Sequence, residues 1–101
     1  MKTIMVRYTT SEAAGDANEA LVRAVFDELR ARAPAGIRYA SYRLTDGVTF
    51  IHIASLETPA ENPLSQLASF KAFQGQLKDR CVAPPLVTEL SVVGSYGEVA
   101  P

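Results

Sequence analysis

The stretch TFIHIASLE, Thr49 to Glu57, decides how this chain folds. Its alternation puts Phe50, His52 and Ala54 on one side of an extended strand and Ile51, Ile53 and Ser55 on the other, and both sides are largely apolar. A strand of that kind is central in a sheet and covered on both faces, so His52, the single histidine of the chain, is not expected to face bulk water.

Outward from this strand the pattern continues in both directions. Upstream, Thr45, Asp46 and Gly47 form an Asp-Gly turn, and Ile37 to Leu44 reads as the strand that pairs across it, with Tyr39, Ser41 and Arg43 on one side. Pro34 and Gly36 close a helix whose face is Leu21, Val22, Val25, Phe26 and Leu29. Asp16, with Glu19 three residues on, has the spacing of a capping box at its start. The chain opens on a strand, Lys2 to Thr9, in which Ile4, Val6 and Tyr8 alternate with Met5, Arg7 and Thr9. Downstream, Asn62 before Pro63 is an N-cap ahead of a second helix carrying Leu64, Leu67, Phe70, Phe73 and Leu77. Pro84 and Pro85 stop it, and Thr88 to Tyr96 alternates as a last strand. Gly97 to Pro101 carries no structural signal.

The order strand, helix, strand, strand, helix, strand predicts an α+β, ferredoxin-like sandwich over one domain, residues 1–101: a four-stranded antiparallel sheet with two helices on one face. With Ile4 and Val6 joined by Ile51 and Ile53 under the helices, the bare face shows Met5, Arg7, Phe50, His52, Tyr39 and Val93. So large an apolar patch calls for a second copy of the sheet, and the expectation is a homodimer with a cavity between the sheets.

Composition narrows the function. A net charge of -1 and no run of like charges give no footprint for phosphate backbones or anionic lipid, so neither nucleic acid nor membrane is expected as partner. Cys81 is the only cysteine, which excludes an internal disulfide and a thiol-rich metal site. No signal-peptide or membrane-spanning pattern is seen, and the expected location is cytoplasmic.

Gly36-Ile37-Arg38-Tyr39 and, above all, Ser69-Phe70-Lys71-Ala72-Phe73, set in this element order, resemble the antibiotic biosynthesis monooxygenase-like branch of the dimeric α/β-barrel proteins. The resemblance spans nearly the whole chain. It implies a homodimeric α/β barrel with a ligand cavity on the open face of each sheet, and a cofactor-independent monooxygenase or isomerase, or a non-catalytic sensing or structural module. Relatives carry a tryptophan near the end of the third strand and often a histidine just before the Phe-Lys-Ala-Phe phrase, the iron ligand in haem-degrading members. Here those places hold Ala54 to Glu57 and Ser69, so no haem or other cofactor is expected.

His52 is the candidate catalytic base for a phenol or carbonyl compound; the alternative is an imidazole hydrogen-bonded in an interior or interface. Arg7 is a candidate holder of a carboxylate or enolate, or the partner of Glu57 or Glu89. Tyr39, Tyr42 and Tyr96 can donate to a ligand or serve as strand and interface residues. Phe50 is read as lining the cavity, and Phe70 and Phe73 as lining it or as core. No metal site is expected.

Overall fold

A computed structural model of the chain describes residues 1–97. Four strands, β1 (Lys2–Thr9), β2 (Ile37–Arg43), β3 (Thr49–Leu56) and β4 (Leu86–Leu90), form one antiparallel sheet in the order β2-β3-β1-β4. Helix α1 (Gly15–Arg32) and the shorter α2 (Ala68–Gly75), followed by the single turn α3 (Leu77–Arg80), pack on one face of it. This is the α+β ferredoxin-like sandwich, with TFIHIASLE as one of its two central strands. No helix among the described residues is long and apolar enough to cross a membrane.

The faces of β1 are as expected, Val6 under the helices and Met5 and Arg7 on the open side, but the register reverses the expected faces of β3 and of Tyr39 on β2. Tyr8 stands opposite Phe50 and Val6 opposite His52, while on the other side Ser41 is paired with His52 and Tyr39 with Ala54. Directly paired residues of an antiparallel ladder share a face. The helices therefore cover Val6, Tyr8, Tyr39, Ser41, Phe50 and His52, and the open face carries Met5, Arg7, Ile51, Ile53 and Tyr42. Rings reach further than aliphatic side chains, and Tyr8 and Phe50 stack at 5.6 Å in a core completed by Val22, Val25, Leu64, Leu67 and Phe73.

Local signals divide in the same way between those that act alone and those that tertiary contacts override. Gly47 takes φ +79° in the hairpin tip, and Asn62 accepts from the Leu64 N–H at 3.0 Å. Asn62 caps only a 3₁₀ turn, Pro63–Gln66, whereas the N-terminus of α2 is capped from another helix: Glu28 accepts the Ser69 N–H at 3.0 Å and the Ser69 hydroxyl at 2.6 Å. The capping box at Asp16 does not form: the helix begins one residue earlier, at Gly15, which puts Asp16 inside it, and both Asp16 and Glu19 bind Arg43 of the hairpin, at 3.1 and 3.0 Å. The last strand is Leu86–Leu90 rather than Thr88 to Tyr96: antiparallel pairing sets Leu90 against Thr3, so residues beyond Ser91 run past the start of β1 at Lys2. Beyond it Val93 and Tyr96 are fully or nearly fully exposed.

Candidate functional site

Helix α1 turns Asn18, Val22 and Val25 toward the sheet, one stripe at helical spacing, and all three are buried. Asn18 is the polar member of that stripe, with no solvent-accessible surface. Its amide nitrogen donates to Tyr8 Oη at 2.8 Å, and its carbonyl accepts Arg80 Nε–H at 2.9 Å. Arg80, at the end of α3, is 9% exposed; it also donates to the Phe73 carbonyl at 2.6 Å and lies over the Phe73 ring at 5.5 Å. Among the described residues no carboxylate pairs with it, so amide, carbonyl and ring satisfy a cation that burial would otherwise make costly.

On the other side of Tyr8 stands His52, which is 4% exposed. Its Nε2 is 2.7 Å from Tyr8 Oη, and its Nδ1 is 2.6 Å from Ser41 Oγ and 3.1 Å from Tyr39 Oη. The ring is stacked between Tyr8 and Tyr39, at 5.3 and 6.0 Å, with Phe73 tilted against it at 5.4 Å. Burial holds the imidazole down to about 4, so it is neutral at ordinary pH. Burial likewise raises the Tyr8 phenol, against the opposing Asn18 hydrogen bond, and pushes Tyr39 up to about 12. Five side chains from five elements thus form one line, Arg80, Asn18, Tyr8, His52 and Ser41, with Tyr39 at its end.

That line ends at a cleft. Between α1 and the edge strand β2 lies a space of ≈ 340 Å³, bordered by Val22, Phe26, Arg30, Ser41, Arg43 and Phe50. A second hollow of ≈ 230 Å³ follows, bordered by Leu29, Ile37 and Tyr39, and Phe26 lines both while stacking on Tyr39 at 5.1 Å. The first is large enough for a one- or two-ring molecule. Apolar surface comes from Val22, Phe26 and the edge of the buried Phe50, a rim of paired charges from Glu19, Asp27 and the arginines they hold, and a hydroxyl backed by an imidazole from Ser41.

Of the residues singled out from sequence, His52, Tyr39, Phe50 and Phe73 converge on this region. Phe70 is half-buried behind Phe73 at 6.1 Å and does not border the cleft. Arg7 does not join His52: paired with Ile51, it is on the opposite face and exposed. Tyr42 borders the cleft from the edge strand, and Tyr96 is 95% exposed. Tyr8, Asn18, Ser41 and Arg80 were not anticipated as site residues. The legible signals were an asparagine inside the apolar stripe of α1 and an arginine seven residues after Phe73 on the buried side of the second helical segment.

The fold and this arrangement define a ferredoxin-like α+β protein whose cleft opens beside the sheet rather than across its bare face. The same fold is found along nearly the whole of Rv0793 from Mycobacterium tuberculosis, at TM-score 0.73 and 20% identity over 95% of this chain and 98% of that one. An antibiotic biosynthesis monooxygenase matches at 0.74 and 15% identity, over 93% and 100% of the two chains. PA3566 from Pseudomonas aeruginosa matches at 0.71 and 19% identity, over 92% and 94%. No family model and no curated protein matches the sequence.

Proposed function

We propose that the chain is a small-molecule-binding protein of the antibiotic biosynthesis monooxygenase-like type, taking an apolar or aromatic metabolite in the cleft between α1 and β2. The observation that carries this reading is a cleft bordered by Val22, Phe26 and Phe50 under a charged rim of Glu19, Asp27 and arginines, with the Ser41 hydroxyl held by a fully satisfied buried line of side chains. Such a pocket orients a flat molecule by stacking and fixes it by a single hydrogen bond. Titration with a panel of phenols and quinones, followed by amide chemical shifts, is expected to move signals of Phe26, Ser41 and Phe50. Shifts confined to the open face, or none, overturn it.

A second reading, cofactor-independent monooxygenation or isomerisation of the bound compound, is favoured by the continuity of hydrogen bonds from Ser41 into His52. Its test is oxygen consumption or product formation with the same panel. His52→Ala should abolish turnover while leaving binding to the aromatic walls largely intact; unchanged turnover removes His52 from the reaction.

The chain is further proposed to act as a homodimer, joined through the open face of Met5, Ile51, Ile53 and Tyr42, of which Tyr42 is 45% exposed in the single chain. Sedimentation at micromolar concentration is expected to give twice the mass of one chain, and a single-chain mass refutes it.

A further inference from the structure

We propose that Arg80, three hydrogen bonds away from His52, is a positioning residue that fixes the imidazole as its Nδ1–H tautomer, so that the site offers a ligand a hydrogen-bond donor through Ser41 rather than a base. The ligand class that follows is a ring bearing a carbonyl or oxyanion acceptor. The part concerning the ligand rests on the cleft reading given above; the part concerning the tautomer stands without it.

The argument is one of donors and acceptors. A guanidinium has five N–H groups and no acceptor, so the Asn18 atom that meets Arg80 Nε must be the oxygen. The amide nitrogen is thereby turned to Tyr8, and being a donor only, it makes Tyr8 Oη an acceptor. Tyr8 then has one proton of its own to place, and the partner it faces is His52 Nε2 at 2.7 Å. Nε2 accepts, so the neutral ring carries its proton on Nδ1, which donates to Ser41 Oγ at 2.6 Å. The opposite tautomer would give Tyr8 Oη two incoming donors and leave its own O–H without an acceptor on a residue only 3% exposed, which burial makes costly. A doubly protonated ring fails for the same reason, in keeping with its depressed pKa.

At the cleft end the order of donation continues. Ser41 Oγ accepts from His52, and its own proton is left for Tyr39 Oη or for an acceptor atom of a molecule in the cleft. Every link from Arg80 onward points the same way, toward the ligand. Arg80 touches no part of the cleft, and its influence passes wholly through the orientation of an amide and a phenol.

One histidine in the chain makes the test direct, because a single imidazole is observed. Two-bond proton–nitrogen correlation on ¹⁵N-labelled protein is expected to show a protonated, pyrrole-type Nδ1 and a pyridine-type Nε2. The reverse, or averaged shifts, overturns the tautomer assignment without any variant. Asn18→Asp should keep its contact with Arg80 as an ion pair but accept the Tyr8 proton, and so reverse the two nitrogen signatures. Arg80→Lys, still a donor only, should preserve them. A folded Asn18→Asp protein with the original signatures shows that Asn18 does not pass the direction on to Tyr8, and a folded Arg80→Met protein, in which no donor fixes the Asn18 amide, with signatures as sharp as those of the wild type shows that Arg80 does not set the tautomer; if one of the two does not fold, the wild-type spectrum and the other variant decide. For the ligand, acetylnaphthalene is expected to bind about tenfold more tightly than isopropenylnaphthalene of the same shape, and Ser41→Ala should erase the difference. Equal affinity for both compounds removes the acceptor requirement while leaving the tautomer standing, and binding of neither removes the cleft reading itself.

Discussion

The two faces of the sheet are built from the same strands, one residue out of step, yet they solve different problems. The helix-covered face holds Tyr8, Tyr39, Ser41, Phe50 and His52, large rings whose polar ends are all satisfied within the chain. The open face holds Met5, Ile51, Ile53 and Tyr42 with Arg7 among them, side chains that pack beside one another but meet no helix. Apolar character alone therefore does not tell a ligand site from an association surface. Rings that carry donors and acceptors need specific partners from distant elements, and that requirement creates a defined pocket edge; aliphatic side chains need only contact with another apolar surface.

The comparison is most directly broken by truncation on each face. Phe50→Ala should cost about 3–5 kcal/mol, because it empties a fully packed position between Tyr8 and the helices, whereas Ile51→Ala, the next residue, should cost about 1–2 kcal/mol. Urea denaturation of both variants measures the contrast, and equal costs would mean that the open face is packed as tightly as the core.

A pH series sharpens it next. His52 faces Tyr8 and Tyr39, which stay neutral below pH 8, and Arg80 beyond Asn18. Its folded pKa of about 4 lies below the ordinary 6.5, so the unfolded chain takes up the proton first as pH falls. Stability is full above pH 7 and declines as pH falls from about 6.5 toward 4, with roughly 2 kcal/mol lost by pH 5. Glu19, Glu28 and Asp46 are held below the usual carboxylate range by hydrogen bonds from Arg43, Ser69 and Thr49 respectively, so their losses come lower. Denaturation midpoints at pH 7 and 5 should separate for the wild type and converge for His52→Gln.

Gly15→Ala tests how the helix face is closed at its end. A Cβ there would meet the Gly47 carbonyl oxygen at 2.6 Å and Arg43 Nη2 at 2.7 Å, so the hairpin must withdraw from α1. The expected cost is about 1–2 kcal/mol, with altered ligand affinity and no change in the open face. Smallest is Ile53→Lys: within about 1 kcal/mol for the single chain, since the long stem still covers its neighbours, but enough to halve the mass seen in sedimentation if the open faces join.

Much of the architecture was legible. Alternation in Lys2 to Thr9, Ile37 to Leu44 and Thr49 to Glu57, the helical spacing of Leu21 to Leu29, the Asp46-Gly47 turn and the Asn62 cap are all local consequences of side-chain geometry and backbone freedom. The helix does start beside Asp16, at Gly15, but the capping box read there does not form, and the two carboxylates meet the distant Arg43 instead. The last strand failed because alternation describes readiness to pair, and pairing needs a neighbour.

Of the site, residue alternation alone put the only histidine in a central, two-sided apolar strand, and therefore in the interior. It could not determine which face of that strand the helices cover, because both sides are apolar and a one-residue change of register exchanges them. Strand pairing in the fold settles it, by setting Tyr8 against Phe50 and Ser41 against His52. The same holds for Arg80, which is 62 residues from Asn18 in the chain and 2.9 Å from it in space. Periodicity is a property of neighbours in sequence, whereas a directed line of hydrogen bonds is a property of neighbours in the fold.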